Sequence, residues 1–405
     1  MNVLIAIDSF KGSMTSLEAA GAIEEGIIRA CLGVNTAADI DANIDANKDT
    51  DIDASIIANV AISPVADGGE GTLRALTEGM YGELRTSVVS DPLCGKVTAE
   101  WGIIETETAE KIAIIEMASA AGLSLLKPTE LNPLNTTTYG VGELIRAAID
   151  EGCRKFIVGI GGSATNDGGV GMLMALGYEF LDEDGNRIEL GAKGLKNLAA
   201  ISSDRVIPEL KECTFRIACD VVNPLCGENG CSAVFGPQKG ATPEMISDMD
   251  GWLSRFAEIS KGDADYPGCG AAGGMGYAFL TFTNATLERG IDIVLEETGL
   301  SGKIAKADIV VTGEGKIDSQ TVMGKAPIGV AKLAKKFGKT VIAFCGSVSE
   351  DGYICNEHGI DAIFPIVRGP VNLEEALDKN NAVRNLTDTA EQVFRIICEK
   401  NCPHG

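Results

Sequence analysis

Closely spaced glycines recur in short segments of this 405-residue chain, most of them with carboxylates and two of them with lysines, a combination that suits phosphate chemistry. The segments are DSFKGS at 8–13, ADGGEGT at 66–72, GIGGSATNDGG at 159–169, DVVNPLCG at 220–227, GAAGGMG at 270–276 and TGEGKIDSQTVMGKAP at 312–327. Moving a phosphoryl group takes cations against the phosphates, carboxylates to hold magnesium, and a group that accepts the proton of the attacking hydroxyl. Asp8, Ser9 and Lys11 stand where an apolar run ends. Asp67 and Glu70 flank Gly68 and Gly69, and are candidates for metal or for ordering a hydroxyl. Gly161, Gly162, Ser163, Thr165, Asn166, Asp167 and Gly168 lie between a buried run and an apolar helical pattern, where backbone amides can collect an anion. Asp220 and Asn223 sit at another strand end, and Gly273 and Gly274 in a further glycine loop. Gly313, Glu314, Asp318 and Gln320 follow a core run, and Lys325 precedes a predicted helix start.

Each segment has a plainer account. DSFKGS can be a helix cap made by Ser13 or Ser16 with Lys11 in solvent, and ADGGEGT an Asp-Gly turn capping a helix. A single glycine loop is most often a tight corner. Recurrence of such loops weighs against that account, and the absence of any GxxxxGK[ST] sequence means that a nucleotide would be held without the P-loop arrangement. GIGGSA also fits a loose dinucleotide fingerprint, with Asp182 about 20 residues on. That acidic residue lies in DEDG, a hairpin-turn sequence, where the dinucleotide fold needs the end of a second parallel strand.

The elements that must position these residues are legible as apolar, β-branched runs: Val3–Ile7, Lys111–Glu116, Phe156–Ile160, Phe215–Cys219, Ile309–Thr312, Thr340–Cys345 and Ala362–Ile366. Helical patterns at Ser16–Arg29, Val141–Glu151 and Pro327–Phe337 alternate with them. The fold class predicted is α/β with two domains, one a Rossmann-like doubly wound parallel sheet and the other a mixed α/β domain. The boundaries expected are 1–63 plus 295–405 for the first and 64–294 for the second, with the active site in the cleft between them. Tyr178–Leu181 and Asn186–Leu190 read as a hairpin around Asp182–Gly185, and Asp91–Gly95 as a plain turn. Thr36–Asn59, an imperfect repeat of Asp, Ala, Asn and Ile, reads as an exposed mobile insertion. It lacks the glycine and the following glutamate of a calcium loop.

With 34 basic and 58 acidic side chains the net charge is −24, which disfavours a general grip on nucleic acid or an anionic membrane. An anionic substrate must then be held locally. The sequence shows neither a basic amino-terminal leader nor an apolar stretch near the length of a membrane span, so a cytoplasmic location is expected. The 12 cysteines lack zinc-site spacing and the 2 histidines, His358 and His404, make histidine-pair chemistry poorly supplied. Nothing in the sequence sets an oligomeric state.

Taken in their order along nearly the whole chain, the six segments resemble the class I glycerate kinases. The resemblance implies ATP-dependent phosphorylation of D-glycerate, usually at the 2-hydroxyl, with magnesium as the required ion. Under that reading Asp167 or Asp67 deprotonates the acceptor, Lys11 and Lys325 neutralise the transferring group, and Glu314 with Asp318 holds Mg2+. The glycine loops with Ser163 and Thr165 would meet the glycerate carboxylate. Phosphorylation at the 3-hydroxyl stays open, as do two other classes, an NAD-dependent 2-hydroxy-acid oxidoreductase and a non-catalytic ligand-binding protein. Thr36–Asn59 departs from the family's shorter link.

Overall fold

A computed structural model of the chain describes residues 1–38, 58–106 and 108–401. Its strands in chain order are β1 (Asn2–Ile5), β2 (Asn59–Ile62), β3 (Glu83–Ser90), β4 (Lys96–Glu105) and β5 (Lys111–Glu116). Then come β6 (Lys155–Gly159), β7 (Glu179–Leu181), β8 (Ala200–Ser202), β9 (Thr214–Ala218) and β10 (Ala285–Glu288), and finally β11 (Ile309–Ile317), β12 (Thr340–Val348) and β13 (Ala362–Pro365). The chain is of the α/β class and divides into two compact units, Met1–Asp67 with Val294–Gly405, and Gly68–Ile293. Among the described residues no helix is long and apolar enough to cross a membrane.

The first unit is built on one sheet in the order β13-β12-β11-β1-β2, with every neighbouring pair parallel. A parallel sheet covered on both faces needs strands that are apolar on both sides, which explains the unbroken runs. Val3, Ile5, Val311 and Phe344 pack with Ile23 and Ile27 of the helix Ser16–Ala38 and with Leu386, Ala390 and Phe394 of the helix Lys379–Asn401. The alternate residues Leu4, Val310 and Val341 are equally buried, on the side of the helices Leu300–Lys306 and Ala326–Lys336. This is a doubly wound sheet, whose ligands belong at the carboxyl ends of the strands.

The second unit carries a six-stranded mixed sheet, β10-β9-β6-β5-β4-β3. Pairing is antiparallel from β3 to β5 and parallel from β5 to β10. Phe156 and Phe215 stack in its core with ring centroids 4.7 Å apart. Asp91–Gly95 turns between β3 and β4 as expected, with Asp91 Oδ1 accepting from the Leu93 and Gly95 amides, both at 2.8 Å.

Several local expectations change. β7 pairs along its length with β8 and on its other side meets only the first part of 186–190: Arg187 bridges Leu181, the Asp182 amide donates to the Asn186 carbonyl at 2.9 Å and the Ile188 amide to the Phe180 carbonyl at 3.0 Å. Asp182 does sit in the turn, accepting from the Asp184 and Asn186 amides at 3.0 and 2.8 Å, so it does not end a second parallel strand. β11 runs five residues past Thr312, since Glu314 to Ile317 keep their pairing to β12, and Glu314 is therefore a strand residue. The first helix continues to Ala38, so residues 36–38 of the supposed insertion are helical. Asn59 begins β2, and residues 39–57 lie outside the described ones. The cap of that first helix is neither Ser13 nor Ser16 but a box between Thr15 and Glu18: the Thr15 amide donates to Glu18 at 2.9 Å and the Glu18 amide to Thr15 Oγ1 at 3.3 Å.

The first and last helices meet at Gly26, where a Cβ would stand 2.5 Å from the Thr387 carbonyl oxygen and 2.8 Å from Ala390 Cβ. Gly21, on the same helix, has open space at that position. Denaturant unfolding should show Gly26→Val destabilised by about 1–3 kcal/mol through overpacking, whereas Gly21→Ala should gain roughly 0.5–1 kcal/mol in helix propensity.

Candidate active site

Beyond β1 the chain stays extended, and the Ala6 and Asp8 amides donate to the Val311 and Gly313 carbonyls at 2.7 and 3.0 Å. On its other side the Ser63 and Val65 amides donate to Ile5 and Ile7. These two rails carry Asp8 and Asp67 beyond β1 and β2, alongside Glu314 in the longer β11. They open on a cavity of about 670 Å³ lined also by Ser9, Lys11, Ser13, Lys316, Asp318 and Lys325.

The charges in this cavity are ordered by unequal burial. Lys325 Nζ lies 3.4 Å from Glu314 and 3.8 Å from Asp318, and Lys316 Nζ lies 3.4 Å from Asp318. Thr321 Oγ1 donates to Glu314 at 2.7 Å. Even so, burial and then the neighbouring Asp67 raise the Glu314 pKa against the lowering by Thr321 and Lys325. Asp8 is 3% exposed, and burial, followed by repulsion from Asp67, pushes its carboxyl up to about 8, although the Ser9 amide donates to it at 2.6 Å. Lys11 is exposed, and Ser13 Oγ is buried without a hydrogen-bond partner. Gly313 sits inside β11, where a Cβ would lie 1.9 Å from the Phe344 carbonyl oxygen, so it serves strand packing, and Gln320 is exposed in the turn beyond.

The remaining predicted residues belong to the second unit, where two carboxylates close the helix starts that follow glycine loops. Asp167 is 1% exposed and accepts from the Thr138 amide at 2.8 Å, from both Thr137 and Thr138 hydroxyls, and from the Gly169 and Gly171 amides at 3.1 and 3.3 Å. Burial raises its pKa while these donors lower it. The amides expected to await an anion at 169–171 are thus already bonded to the chain's own carboxylate. Glu116 does the same for the helix Thr72–Gly79, accepting from the Leu73 amide at 2.7 Å. Gly273 and Gly274 are backbone contacts to the central loop: a Cβ on Gly273 would stand 2.1 Å from the Thr165 carbonyl, and one on Gly274 2.7 Å from Gly168 Cα. Gly68, at φ +92°, packs on Ala218 and Gly290 in the same way, and Gly69 is half-buried. Asp220 accepts from the Gly290 amide at 3.2 Å, Asn223 donates to the Asn229 carbonyl at 2.8 Å, and Glu70 is exposed. Gly161 and Gly162 remain exposed at the end of β6.

Sequence reasoning missed Lys239. It is 1% exposed, donates to Ser163 Oγ at 2.9 Å and to the Thr165 carbonyl at 2.6 Å, and its pKa is lowered by burial to about 8. A buried cation thus lies behind the central loop, beside the unpartnered Thr165 Oγ1 and Asn166 Oδ1. Its segment, GPQKGAT, gave no signal, because a lysine between turn residues reads as solvated. Ser13, for which a helix cap is the plainer account, instead lines the cavity with its hydroxyl unpartnered.

Over residues 3–398 the chain matches the model of the glycerate kinase family. A glycerate kinase of Haemophilus influenzae is 46% identical over 99% of this chain and 100% of its own. The glycerate 2-kinase of Escherichia coli K12 is 44% identical, covering 93% of each chain. A crystal structure assigned to glycerate kinase 2 of Salmonella typhimurium LT2 is 43% identical with a TM-score of 0.83, over 99% of both chains.

Two stability measurements test this electrostatic picture. Asp8 binds a proton in the folded state up to about pH 8 but releases it near the ordinary carboxylate value when unfolded. The folded state therefore holds more protons across that window, and stability falls as pH rises through it. Asp8→Asn should remove this slope, so that urea unfolding at pH 5 and pH 8 brings the variant up relative to the parent by more than about 1.4 kcal/mol, the value of one pK unit. Asp167→Ala should cost about 3–5 kcal/mol by orphaning buried donors, with Asp167→Asn costing less because its carbonyl still accepts.

Proposed function

The chain belongs to the glycerate kinase family and is a kinase, and from that premise we propose that it transfers the γ-phosphate of ATP to the 2-hydroxyl of D-glycerate. The observation that carries the reading is the ring of Lys11, Lys316 and Lys325 with Asp8, Asp67, Glu314 and Asp318 around one cavity at the carboxyl edge of a parallel sheet. Phosphoryl transfer is catalysed mainly by positioning and charge neutralisation, and this lining offers both.

The roles are proposed as follows. Lys11 and Lys325 neutralise charge on the transferring group, with Lys325 also at the start of the helix Ala326–Lys336, whose dipole favours anions. Asp67 orients the acceptor hydroxyl and takes its proton. Asp167, with its oxygens committed to five donor groups, supports the central loop and does not serve as base. Ser163, whose oxygen accepts from Lys239, keeps its own proton and can donate it to an anionic oxygen at the central loop of the second unit.

Magnesium fits the donor set. Asp8, Asp67 and Glu314 are hard oxygen donors, and the charge of Asp67 helps raise the pKa of both Asp8 and Glu314, a repulsion that a divalent cation relieves. No group of three such side chains among the described residues would hold an ion alone, which suits an ion normally bound by one or two carboxylates together with substrate phosphates. Asp8 and Glu314 are the residues nominated to hold it, where it would screen phosphate charge, and Asp318 is reassigned to positioning Lys316 and Lys325 because both lysines lie on it. A cytoplasmic location is supported by eleven unbridged cysteines among the described residues.

Phosphorus NMR of the product formed from ATP and D-glycerate should show 2-phosphoglycerate. No glycerate-dependent ADP would overturn the reading, and 3-phosphoglycerate would overturn the position. Asp67→Asn should lower kcat by about 10²–10⁴-fold, the usual worth of a general base, with the far-UV circular dichroism of the folded protein retained.

A further inference from the structure

The charged groups account for one part of the cavity in the first unit. Elsewhere its lining is apolar: Phe10 and Ile366 are buried, while Val371, Leu373 and Leu377 are 43%, 74% and 38% exposed. Three large hydrophobic side chains left in water within seven residues form a patch that gains from being covered. Leu373 and Leu377 lie on a short helix, Leu373–Leu377, whose first turn is fixed by Asn372 accepting from the Glu375 amide at 2.8 Å, so the patch is held in place. Leu377 also approaches the DSFKGS loop, 3.8 Å from where a Cβ on Gly12 would stand, which joins the apolar lining to the segment that carries Lys11.

We propose that this apolar part of the cavity seats the adenine ring of the nucleotide, with the Asn385 carboxamide reading its edge. The proposal rests on the kinase reading above. D-Glycerate cannot be the occupant, because each of its three carbons carries oxygen and it has no apolar face to bury. A nucleoside triphosphate matches both parts of one cavity: polyphosphate against lysines and carboxylates, and a flat ring against aliphatic side chains. About 670 Å³ lies within the range of small-ligand pockets. A carboxamide offers one donor and one acceptor side by side, the pair that adenine presents through its amino group and a ring nitrogen. Asn385 lines the cavity and is half-buried, as an edge reader must be. The buried Ser13 hydroxyl, unpartnered in the protein, gives the same cavity a further polar contact for the ligand.

The double variant Val371→Ser/Leu373→Ser changes exposed side chains and adds no charge, so folding should be preserved. Its KM for ATP should rise about tenfold or more, as expected for uncovering part of a bound ring, with kcat at saturating ATP and the KM for D-glycerate within twofold of the parent. Asn385→Leu should narrow the preference for ATP over GTP in kcat/KM. Photolabelling the full-length protein with 8-azido-ATP should place the label within residues 366–385. An unchanged KM for ATP, a rise confined to the KM for glycerate, or a label elsewhere would each overturn the proposal while leaving the kinase reading intact. Failure of the parent to form ADP with glycerate would instead remove the kinase reading, and the photolabel would still decide the ring site.

Discussion

Asp8 is a carboxylate in a place where it cannot comfortably stay charged, and much of the first unit follows from putting it there. Backbone hydrogen bonds on both sides of the extended chain fix it between the segment that ends in Asp67 and the strand that carries Glu314. Withdrawing three carboxylates from water at one sheet edge is unfavourable without compensation, which is why lysines stand around them and why one pKa moves to about 8. An apolar sheet covered on both faces supplies the rigidity that such crowding needs. Lys316 and Lys325, paired with Asp318 and Glu314, are thereby fixed beside the cavity.

The second unit solves a different problem with similar residues. Its glycine loops lie so close together that Cβ atoms at Gly273 and Gly274 would collide with the backbone of the central loop. Close backbone packing leaves amides and hydroxyls in a dry interior, and Asp167, Glu116 and Lys239 satisfy them. Charged residues in the two units thus work differently: in the first they line a cavity, while in the second they brace loops and helix starts.

This difference explains how much of the site was readable beforehand. Residue type and spacing singled out DSFKGS and TGEGKIDSQTVMGK, because a lysine and carboxylates at the carboxyl end of a core run are local features of the sequence. The surroundings of Asp167 were not legible in the same way, since a carboxylate after glycines looks alike whether it faces a ligand or caps the next helix, and only the structure shows its bonds to the Thr138, Gly169 and Gly171 amides. Lys239 was invisible because its burial depends on residues that are 76 and 74 positions away. Val371, Leu373 and Leu377 gave no signal, as isolated hydrophobic residues in a polar stretch are ordinary.

By itself the sequence determined the α/β class, the principal strands and the phosphate-handling character, because hydrophobic period and glycine–charge clustering are local properties that survive without coordinates. Its resemblance to the glycerate kinases supplied the acceptor. Tertiary structure decided which charges share a cavity, which carboxylates are already spent on backbone amides, and how far Glu314 lies inside a strand. Those outcomes depend on contacts between residues hundreds of positions apart, as between Asp8 and Glu314, and burial, the quantity that sets their chemistry, belongs to the packed chain.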